Sequence, residues 1–330
     1  MSRKPKDTDY LALSARVRSM ERTLLTRSRM ERMLQAPTVA ESVQVLTELG
    51  YASFDAADEA GLNEALADRR AELFEELGRS MPDPAILDVF KLKYDYHNLK
   101  VLIKSRGEDP RPLLVNVGRV RADDMAAKYQ QTGKWDFLPH TMAAAAAEAT
   151  RVLAETGDPQ LSDFVLDRAY FTEMLSMAQE TNCEYLVRYV RTLIDAANLR
   201  SFVRARRMHR TGAFLQQVLF EGGSVGIERI LSGSVNGAAE LYRTTPLREA
   251  AEAGDEAIAG GSLTVFEKAC DNAVLDQVAR ARSVPFGVEV VIGYIAAREN
   301  EFTAARTILS GRMAGLDADT IRERLRDSYV

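Results

Sequence analysis

The sequence predicts an all-α protein made of three similar helical units. Ala, Leu, Glu and Arg dominate, and alternating β-branched segments bounded by turns are scarce. A helix-borne motif also returns with a period of about 100 residues, the mark of internal repetition. With 330 residues, 46% of them apolar, the chain is long enough for two or three domains whose cores need no covalent staples.

Taken in chain order, LALSARVRSMERTLL follows Tyr10 as a first helix. Thr38-x-x-Glu41 after Pro37 is a capping box, and Asp83-Pro84 is an N-cap with Pro at the first helical position. The helix that Asp83 starts carries an apolar stripe of Phe90, Tyr94, Asn98 and Leu102. Loops fall at Gly107 to Pro112 and at Gly157-Asp158-Pro159, on either side of a segment with an Ala143 to Ala147 run. The stripe then returns as Val190, Ile194, Asn198, Phe202, and again as Ile292, Ala296, Asn300, Ala304. The preceding helix repeats too: Leu166-Asp167 with Ala169, Met174 and Leu175 matches Phe266-Glu267 with Ala269, Val274 and Leu275, and Leu66 and Phe74 fit the same template. Glu31-Arg32-Met33-Leu34, after Leu24-Leu25, is echoed by Glu228-Arg229-Ile230-Leu231, after Val218-Leu219. Gly222-Gly223-Ser224 and Gly260-Gly261-Ser262 are further loops, and Asp317 caps a final helix. Cutting at Gly107 and Thr211 gives units 1–107, 108–211 and 212–330.

Composition excludes several function classes. A net charge of −5 gives no basic footprint for a phosphate backbone, so nucleic acid is not the expected partner. Cys183 and Cys270 cannot build a disulfide framework, which fits a reducing cytoplasm. The N-terminal stretch interleaves Arg and Glu where a signal peptide needs an apolar core. VPFGVEVVIGYIAA has Glu289 inside it and falls short of the roughly 20 residues that cross a bilayer. His97, His140 and His209 stand apart from one another, and no phosphate-loop, dinucleotide or nucleophile-elbow signature occurs, so neither metal nor cofactor is expected.

Two constellations remain. Asn98, Asn198 and Asn300 occupy one repeat position on an apolar stripe, where an amide needs a partner, and this predicts a recurring interhelical hydrogen bond. Asp95 and Asp195, three residues earlier, are placed to orient the amide, and Ala297 replaces them in the third unit. Six residues after each Asn comes a cation: Lys104, Arg204 and Arg306. Lys100 with Lys104, and Arg200 with Arg204, form basic faces, the second extended by Arg206, Arg207 and Arg210. Such a run is either a solvated helix end favoured by the helix dipole or a docking surface for an acidic protein. Lys100, Lys104, Arg200, Arg204, Arg206 and Arg207 are therefore the candidate partner-binding residues. Asp163 and Asp167, four apart on one helix, are a weaker pointer to metal-assisted catalysis, and Tyr170, Phe171, Tyr185 and Tyr189 read as core.

The segment DFVLDRAYF from Asp163, followed by YLVRYVRTLIDAANLRSFVRARR, resembles the middle of the C-type stalk subunit of rotary V/A-type ATP synthases, the counterpart of the d subunit of vacuolar ATPases. VFKLKYDYHNLKVLIKSR, ARENEFTAARTILSGRMAGLDADTIRERL and the opening Tyr10 to Leu25 agree in order, so the resemblance covers nearly the whole chain. It implies a funnel of three helical domains with pseudo-threefold symmetry. It further implies a non-catalytic socket in the central stalk, on the cytoplasmic face of the membrane. The socket would join the rotor shaft to the proteolipid ring, meet the membrane only through that ring, and pass torque between ion flow and ATP synthesis or hydrolysis. The third unit departs from the pattern, with Ala297 for the Asp and Phe302 for the cation at Lys100 and Arg200. A helical repeat scaffold with an unrelated partner is the alternative reading.

Overall fold

The computed structural model describes residues 4–55, 59–105, 109–232 and 237–329, and every regular element among them is helical. The cut at Gly107 lies outside the described residues.

The N-terminal segment forms α1 (Leu11–Met20), α2 (Arg27–Gln35) and α3 (Val39–Thr47). Thr38 caps α3 by accepting from the Glu41 N–H at 3.2 Å, and its hydroxyl meets the Glu41 carboxylate at 3.0 Å. A long helix pair follows, α4 (Glu59–Gly78) and α5 (Pro84–Lys104); Asp83 starts α5 by accepting from Ala85 N–H. After α6 (Ala122–Thr132) and α7 (His140–Thr156) comes a second long pair, α8 (Pro159–Glu180) and α9 (Glu184–Arg207). Gly157 ends α7 in the left-handed region and Asp158 caps α8, so two residues reverse the chain. Shorter helices α10 (Gly212–Val218), α11 (Ile227–Ser232), α12 (Ala238–Tyr242) and α13 (Arg248–Ile258) lead to a third long pair, α14 (Leu263–Ala279) and α15 (Val288–Met313). Asp317 caps the final helix α16 (Ala318–Arg324).

The first helices of the three pairs bury the same repeat position: Leu66, Leu166 and Phe266 are each fully enclosed. Packing between pairs runs in one direction along the chain and then closes. The second helix of one pair lies on the first helix of the next, α5 on α8 and α9 on α14, and α15 returns to α4. That last contact is the sparsest of the three. The N-terminal helices α1, α2 and α3 pack on α15 from the far end of the chain. One apolar cluster accordingly runs from Tyr10 through the first pair to Ile308 and Leu309, while a second gathers around the latter half of α9, with Phe202, Tyr242, Leu247 and Phe266.

Candidate functional site: straps and seams between the helix pairs

Asn98 and Asn198 are fully buried, and each makes a two-way bond to backbone. Asn98 Nδ2 donates to Val115 O and Val115 N–H donates to Asn98 Oδ1, both at 2.9 Å. Asn198 does the same with Phe220, at 2.8 Å in each direction. The expected interhelical bond is thus replaced by a bond from a helix to the irregular strap that follows it. An irregular strap buried on a helix pair has no ladder to satisfy its own peptide groups, so a carboxamide, which offers both a donor and an acceptor, fills that need.

Asp95 and Asp195 complete the clamp, in a different role from the one expected. They take strap N–H groups instead of steering the amide. Asp95 accepts from Arg119 N–H at 3.2 Å and Val120 N–H at 3.0 Å. Asp195 accepts from Ser224 N–H at 3.0 Å, Val225 N–H at 3.1 Å and the Ser224 hydroxyl at 2.5 Å. The strap must come so close that a Cβ at Gly118 would fall onto Asp95 Oδ1, and one at Gly223 onto Asp195 Oδ1. In the third pair, partly buried Asn300 keeps the amide half by donating to Asp327 O at 3.0 Å, and Ala297 supplies no carboxylate.

Burial pushes the Asp95 carboxyl from its ordinary 3.8 up to about 6, against the opposing pull of the Val120 and Arg119 N–H groups. The folded chain therefore holds this proton more tightly than the unfolded chain. That contribution to stability is complete below about pH 4 and is lost as pH rises through about 6. Asp95→Asn is expected to flatten the fall in stability across this window by about 2–3 kcal/mol relative to the parent, measured by urea denaturation at pH 4.5 and 7.

The basic faces lie on the seams between pairs. Lys100 on α5 meets Asp167 on α8 at 2.6 Å, and Lys104 meets Asp163 at 3.0 Å. One repeat later, Arg200 on α9 forks between Glu267 at 2.8 Å and Asp271 at 2.5 Å on α14, with Arg204 on Glu267 at 2.7 Å. Arg326 reaches the other oxygen of Asp271 at 2.6 Å. Asp163 and Asp167, whose spacing pointed weakly to metal chemistry, are the counter-charges of this seam, and among the described residues no three potential ligands gather as a metal set. Arg206 sits over the Phe202 ring, and Arg207 donates to Ala257 O and Gly261 O at the end of α13. Four of the six candidate docking cations are thus tied into the fold across α5/α8 and α9/α14. Arg204 remains 59% exposed, but reversing it would set two carboxylates face to face, so it braces the seam before it can meet anything else.

In the third pair a charged network replaces apolar packing. Arg298 and Glu301 stand where the other pairs have Tyr96 and Ala196, and Leu99 and Leu199, yet both are buried. Arg298 donates to Glu301 at 2.5 Å and to the Tyr294 hydroxyl at 2.9 Å. Glu301 also accepts from Leu25 N–H at 2.7 Å and from the Tyr51 hydroxyl. Sequence reasoning missed this network, although two charges at repeat positions that are apolar elsewhere were the available signal.

Related helix pairs, strapped by buried Asp and Asn and cross-braced by ion pairs along their seams, define a tandem helical-repeat protein. Its lineage follows from its relatives. The chain belongs to the ATP synthase (C/AC39) subunit family, whose sequence profile matches residues 13–324. It is 23% identical to the C-type stalk subunit of the V-type sodium ATPase of Enterococcus hirae, with 97% of this chain and 99% of that protein covered. It is 24% identical to the corresponding C-type chain of the A-type ATP synthase of Methanocaldococcus jannaschii, covering 96% and 86%. Against the C-type chain of the V-type ATP synthase of Deinococcus radiodurans it is also 24% identical, covering 96% and 91%. Among the described residues no helix is long and apolar enough to cross a membrane.

Proposed function

We propose that this chain is the central-stalk socket of a rotary V/A-type ATP synthase, joining the rotor shaft to the membrane proteolipid ring from the cytoplasmic side. The observation that carries this is the match of the family profile over residues 13–324, together with C-type relatives that align along almost their whole length. The cyclic order of the helix pairs suits a funnel of three related units, divided near residues 107 and 211. A torque adaptor needs stiffness, because any slack in it is lost rotation. Ion pairs that cross each seam, and straps held at both N–H and C=O, resist the sliding of one packed helix past another. No step of the chemistry falls to this chain; its work is mechanical, and its own side chains are committed to holding shape.

The test is mass spectrometry of what co-purifies with a tagged copy from gently solubilised native membranes. The socket reading expects a proteolipid of the ring together with shaft and head proteins. Recovery of the chain alone, or with unrelated soluble partners, while the rotary complex itself survives, would overturn it in favour of a helical scaffold with another partner.

A further inference from the structure

The third seam lacks the carboxylates that close the other two. Lys104 finds Asp163 and Arg204 finds Glu267, but Arg306, at the same repeat position on α15, finds only the neutral Asn63 of α4, at 2.5 Å. Asn63 stands where α8 has Asp163, and Ala67 stands where α8 and α14 have Asp167 and Glu267. Arg306 is half-buried, and the charge nearest to it after its own desolvation is another cation, Arg70, with Glu59 a weaker opposing influence. A half-buried guanidinium with a neutral partner is an incomplete arrangement, because a planar fork of donors is matched by a carboxylate.

The same arginine lines an open cleft of about 660 Å³. All three helix pairs contribute to it: Glu59 from α4, Arg204 from α9, Glu267 from α14, and Arg306 from α15, with Arg324 and Arg326 at the chain's end. Arg204 and Arg326 are already paired with Glu267 and Asp271, whereas the exposed Arg324 side chain makes no hydrogen bond or ion pair among the described residues. The cleft is therefore positive at Arg306 and Arg324, and its size admits side chains of another polypeptide.

We propose that this cleft receives an acidic side chain of the rotor shaft, whose carboxylate completes the third seam in trans by pairing with Arg306. The proposal rests on the socket reading. The internal repeat names the missing group, since carboxylates occupy the matching place at both other seams. The convergence of all three pairs on the cleft favours one central occupant, the shaft tip, over the several loops of a ring.

The test uses the assembled native complex carrying Arg306→Lys, treated with a carbodiimide that couples amines to carboxylates without a spacer. Mass spectrometry is expected to find the amine introduced at position 306 joined to an Asp or Glu of a shaft protein. Coupling only to Glu59 within the chain, coupling to a proteolipid of the ring, or no coupling would overturn the proposal. Asn63→Asp gives an independent readout, because it supplies the missing carboxylate in cis. It is expected to raise the melting temperature of the isolated chain while weakening its retention in the complex at least tenfold. A raised melting temperature with unchanged retention would mean that the seam is structural only. Absence of the unaltered chain from the complex would overturn the socket reading itself, and is read before either variant.

Discussion

Glu301→Ala is expected to destabilise the chain by about 3–5 kcal/mol, the cost of leaving a buried charge without its partner. Three groups lose their acceptor together: the Arg298 guanidinium, the Leu25 N–H and the Tyr51 hydroxyl. Neither charge of the pair reaches solvent, the two side chains being 3% and 2% exposed. Burial and the neighbouring Glu301 charge hold the Tyr51 hydroxyl well above its ordinary pKa, so it stays protonated and cannot take over the counter-charge. The damage should spread beyond α15, because Leu25 and Tyr51 belong to the N-terminal segment that packs there from the other end of the chain. Urea denaturation followed by circular dichroism gives the loss, and hydrogen exchange should show α1 to α3 opening first. The internal repeat supplies a control: the double change Arg298→Met with Glu301→Leu restores the apolar character of Tyr96 and Leu99, and should cost far less than the single change. A double variant as unstable as Glu301→Ala would show that the hydrogen bonds to Leu25 and Tyr51, and not the unpaired charge, carry the effect.

The helices were legible because their signals are local. Asp83-Pro84, Thr38 with Glu41 and Asp317 each announce a helix start within four residues, and each serves as the N-cap that its sequence implies. The repeat was legible for the same reason, since Asn98 and Asn198 sit in matching stripes that need no knowledge of what lies opposite. What lies opposite was not legible. Asn98 finds its partner at Val115 and Lys100 finds Asp167, pairings fixed by how the chain returns on itself and not by helical periodicity. A row of cations at a helix end is the same string of letters whether it faces water, a partner or the next helix. Only the placement of α14 against α9 turns Arg200 from a candidate docking residue into the bracket between Glu267 and Asp271. The docking of α1 to α3 on α15 was invisible for a further reason: cutting the chain in order assigns the N-terminus to the first unit, whereas packing gives it to the third pair.

Gly223→Ala is expected to cost about 3 kcal/mol, from overpacking at about 1–3 kcal/mol and from displacing a carboxylate whose charge-assisted bonds are worth about 1.5–3 kcal/mol each. Its coupling to Asp195 is the sharper result. The new methyl group would land on Asp195 Oδ1, the oxygen that accepts from Val225 N–H. Asp195→Ala alone should cost a similar amount, because it strips the Ser224 and Val225 N–H groups of their acceptor while the strap stays buried. The two costs cannot both be charged in the double variant. Once the carboxylate is gone, the methyl group at 223 meets no oxygen, so the double variant should be more stable than the sum of the singles by at least about 1 kcal/mol. Additive losses in urea midpoints would mean that strap and carboxylate are not in contact. The repeat extends the test to Gly118 and Asp95, where the same cycle should give coupling of the same sign. At the third pair, Ala297 offers no carboxylate for a strap to lose, so the straps of the first two pairs are where a single methyl group separates strap from helix.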